Sequence, residues 1–487
     1  MAAGLGTRMR SRRAKVLHPL AGAPLIRYPL ATLSALEVSP LVVVVGHQAE
    51  EAMAACGGFS AVFATQTEQR GTGDAVRCAA GALAGHGGDI MILPSDMPLL
   101  TTDTLRSLVA AHRAAGAVLS LLTARVAEPR GYGRVVREAG RVTRIVEDRD
   151  ATPEVLAIRE VNVGVYCVSA PFLFSALARL QPNNAQGELY LTDIVCQAAE
   201  SGLVLADAPV SESEVAQVSS REDLAYVERA LRQRLTTKWM AAGVTIEDPD
   251  TTYIGPEVAI GRDTVIGPNV ILRGRTRIGE DCRLDGSALV IDSEIGNGVH
   301  LKFSIVINEA HVGDGSTVGP FAQLRPGTHL AAGVHIGDFV ETKNAVLGPG
   351  VKANHLAYIG DAEIGRETNV GAGTITCNYD GFRKHRTVIG ERVMIGSDSQ
   401  LIAPVTVGDD AYVATGTTVM GDVPPGALVF TKKTQEHRRG WVAARRARQA
   451  GATPKASASP PRKKRATTST RRRVTKLRAR TPNKKKR

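Results

Sequence analysis

Residues 253–284 read YIGPEVAIGRDTVIGPNVILRGRTRIGEDCRL, and an aliphatic residue returns at every sixth position: Ile254, Ile260, Ile266, Leu272, Ile278 and Leu284. Gly follows at 255, 261, 267 and 279. The series restarts at Val312, Val318, Leu324, Leu330 and Ile336, and again at Ile389, Ile395, Leu401, Val407, Val413 and Val419. A period of six fits neither an amphipathic helix nor a two-residue strand alternation. It suits a triangular β-solenoid in which each face supplies one short strand and one corner, the aliphatic side chain pointing inward and Gly, Asn or Asp taking the corner dihedrals. The segment Cys377–Thr387, CNYDGFRKHRT, interrupts the repeat with polar and turn residues and is expected to be an exposed loop.

Ahead of the repeat the periodicity changes. Residues 1–218 alternate strand-like apolar runs, such as LVVVVG at 41–46, DIMILPSD at 89–96 and VNVGVYCVS at 161–169, with helix-like stretches. That alternation predicts an α/β domain with a largely parallel sheet, Rossmann-like in class. The stretch 219–242, SSREDLAYVERALRQRLTTKWMAA, starts on a capping-like Ser-Ser and spaces Leu224, Val227, Leu231 and Leu235 helically, so it reads as a connecting helix. The solenoid is assigned to 243–440 and a basic, disordered tail to 441–487.

Composition narrows the function classes. Of 487 residues 43% are hydrophobic and 22% charged, and no run approaches the roughly 20 apolar residues of a membrane helix. The start, MAAGLGTRMRSRRAK, has basic residues without an apolar segment behind them, so no secretory signal is expected. Six scattered cysteines form no C-x-x-C pair and read as reduced thiols, which points to the cytoplasm. The net charge of +12 is local: residues 451–487 hold 15 of the 60 basic residues and no acid, leaving 45 basic against 48 acidic residues elsewhere. Such a tail cannot bury a core, and nonspecific contact with polyanions is the interaction it supports.

Two segments carry chemistry. AAGLGTRM followed by Lys15 gathers Gly4, Gly6, Arg8 and Lys15, giving close backbone approach and positive charge suited to a triphosphate. With EQRGTGDA and LPSDMPL downstream, the ensemble resembles the sugar-1-phosphate nucleotidyltransferases over nearly the whole amino-terminal half. In that chemistry a sugar phosphate oxygen attacks the α-phosphorus of a nucleoside triphosphate, so alignment and charge neutralisation are the main demands. Mg²⁺ takes only one or two protein oxygens beside phosphates, and Asp96 of PSDMP is the candidate anchor. The resemblance implies that Ala2, Ala3, Gly4, Arg8, Lys15, Gln66, Gly71 and Thr72 hold UTP, and that Gly133, Glu147 and Asn162 hold the N-acetylglucosamine moiety. It also implies an apolar strand just before the Gly-rich loop, where this sequence begins at Met1, so a start assigned too late or a truncation is expected. Where the family has Asn-Asn after the last sheet segment, the first helping to bind metal, VSSRED offers Ser219 as a weaker donor.

The repeat half resembles the hexapeptide-repeat acyltransferases, which implies a left-handed parallel β-helix and a homotrimer with acyl-CoA sites between neighbouring subunits. LRPG, FVETKN, ANHLAYIGDAEIG and GAGTITCNYDG then follow in the order found in the bifunctional glucosamine-1-phosphate acetyltransferase/N-acetylglucosamine-1-phosphate uridylyltransferase family. A base must take a proton as the sugar 2-amine attacks a thioester, and imidazole titrates near neutrality. The resemblance makes His355 that base. It gives the sugar phosphate to Arg325 and Lys343 and the sugar to Tyr358 and Asn369. Asn378 and Tyr379 are assigned to both sugar and acetyl-CoA, with Asn378 also orienting His355. Ala372, Ser397, Thr415 and Lys432 map to acetyl-CoA, Thr415 replacing a family Ala and Lys432 an Arg. Two other readings compete with the bifunctional one: an acetyltransferase on a degenerate nucleotidyltransferase scaffold, and a polyanion-binding protein acting through its tail.

Overall fold

The structure, a computed structural model, describes residues 1–432 and 434–451. Its carboxy-terminal half is a parallel β-helix, and strand register measures its coil. Tyr253 pairs with Ile271, Ala259 with Arg277 and Val265 with Arg283, so three short strands close a coil of 18 residues. From Arg277 to Glu294 and from Arg283 to His300 the coil takes 17. One corner residue fewer shifts the phase of the six-residue series, which is why it stops and restarts in the sequence. Every aliphatic residue of the three series is buried, and they belong to one continuous core from Val244 to Val423. Buried hydroxyls at the corners are satisfied between coils: Thr264 Oγ1 donates to the Gly279 carbonyl (2.9 Å) and accepts from the Cys282 amide (3.1 Å). At Glu363 to Val388 the register advances 25 residues, so the interrupting segment is extruded as a loop with Phe382 at its exposed tip.

The helix Arg221–Ala241 leads into this core. Ser220 caps it, accepting from the Asp223 amide while the Asp223 carboxylate accepts from the Ser220 amide, a reciprocal capping box. The nucleotidyltransferase-like half packs on this helix and on the first coils. The Glu228 carboxylate accepts from the Ala21 amide (2.7 Å), and Arg27 pairs with Glu257 (2.9 Å).

The sheet of the amino-terminal half is mixed, which corrects the largely parallel expectation. Leu41–Val45 runs parallel to Ala61–Thr65, and Leu119–Arg125 to Leu205–Pro209. Glu160–Ser169, however, is antiparallel to both Asp89–Ile92 and Leu119–Arg125, and Arg134–Glu138 forms a hairpin with Arg141–Val146. That hairpin turns on Ala139 and Gly140, both at positive φ (48° and 80°), the conformation a two-residue type I′ turn requires.

The pair Leu41–Val45 and Ala61–Thr65 does not join the six-stranded sheet. A cavity of about 870 Å³, with Asp89, Arg106 and Arg113 among its apolar lining, lies between Leu41–Val44 and Ile90–Leu93. Among the described residues the start of the chain spans the gap: the Ala2 amide donates to the Val44 carbonyl (2.7 Å) and the Ser95 amide to the Met1 carbonyl (3.0 Å).

Lys432 and residues 434–451 belong to a separate unit. It contains the helix Trp441–Gln449, with the Arg445 guanidinium over the Trp441 ring. A disordered tail beginning at 441 is therefore corrected: WVAARRARQ is made of helix-tolerant residues, and composition alone had merged it with the basic run behind it. Residues 452–487, with most of the tail's charge, lie outside the described residues. Among the described residues no helix is long and apolar enough to cross a membrane.

Candidate functional sites

The amino-terminal site is built on loops at strand ends. Gly6 sits at φ 61°, and a Cβ there would meet the Lys15 Cβ at 2.7 Å, so the absence of a side chain lets the loop close against Lys15. Lys15 Nζ reaches Asp96 Oδ2 at 2.5 Å, both side chains being mostly buried. The other Asp96 oxygen, Oδ1, is buried without a hydrogen-bond partner among the described residues. A carboxylate with one oxygen neutralised by a lysine and one aimed at nothing suits a single cation bond, so the residues present fit a hard divalent ion. Ser219 is close by backbone: the Val218 amide donates to the Asp96 carbonyl (2.9 Å), and the Ser219 amide is taken by Asp223 (2.9 Å).

The residues assigned to the base and sugar fall into two groups. Gln66 is buried and donates to Asp74 Oδ2 (2.9 Å) and to the Gly71 carbonyl (3.2 Å). Gly71, at φ 110°, lies so close to Leu189 that a Cβ would sit 2.6 Å from its carbonyl oxygen; Thr72 Oγ1 accepts from the Leu191 amide (3.0 Å). In the second group the Asn162 amide donates to the Gly133 carbonyl (2.8 Å), and a Cβ on Gly133 would reach 3.5 Å from the Glu147 carboxylate. Glu147 accepts from Thr192 Oγ1 (3.1 Å), and burial pushes its carboxyl above the ordinary range. Asn162 Nδ2 donates to the Tyr166 hydroxyl (2.7 Å), which fixes its amide. Ala2 and Ala3 are buried, while Gly4 and Arg8 are exposed beside them.

On the β-helix, His355 ends the strand Lys352–His355 and lies in register with Asp338 one coil earlier. Its Nδ1 is 2.6 Å from Asp338 Oδ1. A carboxylate accepts only, so Nδ1 carries the proton, and in the neutral ring it is Nε2 that keeps the lone pair. The buried Asn378 donates to Asp361 Oδ2 (2.5 Å), whose other oxygen accepts from Asn344 (2.6 Å).

The Arg325 amide bonds the Thr342 carbonyl, setting Arg325 beside Lys343 on the next coil, and Arg325 also pairs with Glu341 (2.6 Å). Lys384, from the extruded loop, comes against Lys343. The direct side-chain contact with Lys384 first, then the Lys384 charge and that of Arg325, hold the Lys343 amine below the usual lysine range. Three cations, with the carboxylates Glu341 and Asp361 beside them, make a net positive cluster suited to an anion. The Tyr358 ring lies over Gly360, where a Cβ would be 2.5 Å from the phenol oxygen; the register places Gly360 next to Lys343.

Asn369 aligns with Met394 and Tyr412 on successive coils, and Nδ2 contacts the Met394 sulfur (3.4 Å). Ala372, Ser397 and Thr415 recur at one corner of successive coils, the Asp398 amide bonding the Ala372 carbonyl and the Gly416 amide the Ser397 carbonyl. Tyr379 is exposed at the base of the loop, bridged to Lys384. Lys432 falls in the separate carboxy-terminal unit.

Sequence reasoning missed Asp338 and Lys384. Each meets its partner only because coil length brings residues 17 or 41 apart together, and that length is not written in either residue's neighbourhood.

A family profile for a MobA-like NTP transferase domain matches residues 1–189, a GMPPB C-terminal domain matches 249–319, and bacterial transferase hexapeptide (six repeats) matches 386–421. The chain is 49% identical over 444 residues to the bifunctional protein GlmU of Pelobacter propionicus, covering 91% of this chain and 96% of that one. It is 50% identical over 447 residues to that of Trichlorobacter lovleyi, covering 91% and 96%. Against that of an Anaeromyxobacter species it is 50% identical over 465 residues, covering 94% and 95%. With a nucleotide-site loop and a β-helix His–Asp pair on one chain, and relatives alike across both halves, the chain belongs to the bifunctional GlmU family.

Proposed function

We propose that the chain acetylates glucosamine-1-phosphate with acetyl-CoA and then joins the product to UTP, releasing pyrophosphate and UDP-N-acetylglucosamine. The observation that carries the acetyl step is the Asp338–His355 pair beside the cations Arg325, Lys343 and Lys384. The cations hold the sugar phosphate. His355 Nε2 takes a proton from the 2-amine as its nitrogen attacks the thioester carbon, and the coenzyme A thiolate leaves when the tetrahedral intermediate collapses. Asp338 keeps the proton on Nδ1 and balances the charge the ring acquires. Tyr358 and Asn369 position the sugar, while Ala372, Ser397, Thr415, Asn378, Tyr379 and Lys432 line the coenzyme side.

In the uridylyl step Lys15, Arg8 and the Gly4–Gly6 backbone align the triphosphate, with Gln66, Gly71 and Thr72 at the uracil and Gly133, Glu147 and Asn162 at the sugar. Asp96 would hold Mg²⁺, with Ser219 a weaker donor nearby, and the bound ion supplies neutralisation of the phosphate charge. All six thiols are unpaired, in keeping with a reducing cytoplasm.

The same reading makes the protein a homotrimer. Phe303, Phe321, Phe339 and Leu356 are exposed at one corner of four successive coils, Phe321 and Phe339 stacking at 5.4 Å. An exposed apolar ladder of this kind is what a second copy covers, and Phe339 and Leu356 adjoin Asp338 and His355 in sequence. Separate assays of thiol release from acetyl-CoA and of pyrophosphate release from UTP test both steps. Pyrophosphate release absent from an acetylating enzyme would overturn the bifunctional reading.

A further inference from the structure

On the far face of the amino-terminal sheet, three polar side chains cross an apolar layer. Asp89, Cys167 and Ser120 stand on adjacent strands: Ser120 is directly opposite Cys167, and Asp89 is its diagonal neighbour through the Asp89↔Ser169 and Met91↔Cys167 pairs. The helix Thr102–Ala115 lies over them and lowers His112 among them. His112, Cys167 and Ser120 are each 3% exposed or less, packed among Leu105, Leu108, Val165 and Met91. Burying a histidine and a serine in such a layer is unfavourable unless their polar atoms are used, and here each is. His112 Nδ1 is 2.8 Å from Ser120 Oγ, and Nε2 is 3.3 Å from Asp89 Oδ1.

We propose that Asp89, His112 and Cys167 bind a borderline-soft divalent cation, of which Zn²⁺ is the type, at a site separate from both reactions. One ligand atom from each, carboxylate oxygen, imidazole nitrogen and thiol sulfur, lies within 4.8 Å of the other two. Zinc accepts this mixed donor set in tetrahedral geometry, and nitrogen and oxygen each about 2.0 Å from the ion stand about 3.3 Å apart. That is the His112–Asp89 separation already present. The sulfur closes by roughly 1 Å to meet bonds of about 2.3 Å, a movement the half-exposed Asp89 can share. Ser120 on Nδ1 is the outer partner that a metal-bound imidazole needs to fix its ring and tautomer. Asp89 and Cys167 also line the 870 Å³ cavity, which gives an ion a route in and a fourth ligand position facing water. Binding displaces the thiol proton and forms a sulfur–metal bond; no electron changes hands. The ion would tie the helix to the strands Asp89–Ile92 and Glu160–Ser169.

Cobalt(II) is the probe, titrated into the full chain after chelator treatment. The expected result is a thiolate-to-cobalt charge-transfer absorption that saturates at one equivalent and is abolished by one equivalent of Zn²⁺. Cys167→Ser should remove that absorption. Asp89→Asn, at a half-exposed strand end where folding is not at stake, should weaken cobalt affinity at least ~10-fold, and Ser120→Ala should weaken it by about 10- to 100-fold. Uridylyl transfer by Asp89→Asn should stay at the wild-type rate. Cobalt absorption without the thiolate band, or a thiolate band unchanged in Cys167→Ser and Asp89→Asn, places the ion elsewhere and overturns the proposal.

Discussion

Replacing Asp338 by Ala removes one hydrogen bond and leaves His355 its freedom. The bond is short at 2.6 Å, but the His355 side chain is 63% exposed and that of Asp338 37%, so water can take up either end once the other is gone. A hydrogen bond in that setting contributes about 0.5–1.5 kcal/mol net, which corresponds to a loss of roughly 2- to 13-fold in acetyl-transfer turnover. His355→Ala removes the base itself and should lose about 10²- to 10⁴-fold. Neither change opens a cavity, because both side chains stand outside the aliphatic core, so the unfolding temperature should stay near that of the wild type. The decisive measurement is the double-mutant cycle. At saturating acetyl-CoA, with coenzyme A thiol trapped colorimetrically, Asp338→Ala should have no effect once His355 is Ala, because the aspartate acts only through the imidazole. Two refutations are open. An undiminished loss from Asp338→Ala in the His355→Ala background would detach Asp338 from the histidine, and near-wild-type turnover in His355→Ala would remove the base assignment.

Three further outcomes are expected. Asp96→Ala should collapse pyrophosphate release while leaving thiol release intact, since the sites occupy separate halves; equal loss of both would show that Asp96 supports the fold rather than the phosphates. Lys384→Met should raise KM for glucosamine-1-phosphate by about 10- to 100-fold, the worth of one charge-assisted bond of roughly 1.5–3 kcal/mol, with little change in KM for acetyl-CoA. The third concerns stability. The Glu147 carboxyl is raised by burial, so the folded state keeps a proton that the unfolded chain releases, and stability declines as pH climbs from the unfolded value through the folded one. Glu147→Gln should flatten that decline in calorimetric scans taken from mildly acidic to neutral pH, and parallel profiles would refute the assignment.

The β-helix was legible because one rule, an inward aliphatic at each face, is repeated along the chain and each repeat restates it. The mixed sheet was not, since a strand such as Glu160–Ser169 reads the same whichever way its neighbours run. The one local signal was the Ala139–Gly140 turn, which marks a hairpin and hence an antiparallel pair. Among site residues, His355, Arg325 and Lys343 could be assigned because they sit inside long recognisable phrases. Lys384 was not, because it reaches Lys343 only by the detour of an extruded loop. The helix Trp441–Gln449 was hidden by a compositional boundary drawn around charge, which says how a segment is solvated and little about whether it coils.

The stacking of coils also serves as a ruler. The strand Thr245–Ile246, just behind the connecting helix, and the strand Lys352–His355 belong to the same face of the β-helix, six strand-to-strand steps apart. At about 4.8 Å per step that is roughly 29 Å along the axis, over a surface of charged corners with no described wall to enclose a diffusing sugar phosphate. On the proposed reading, acetylated product leaving His355 has that stretch of β-helix to cover before a nucleotide site on the other half receives it. That reading expects the two reactions to be linked by concentration rather than by hand-over. Isotopically labelled N-acetylglucosamine-1-phosphate added to a running reaction should dilute into the final nucleotide sugar in proportion to the pool, at any ratio of enzyme to substrate.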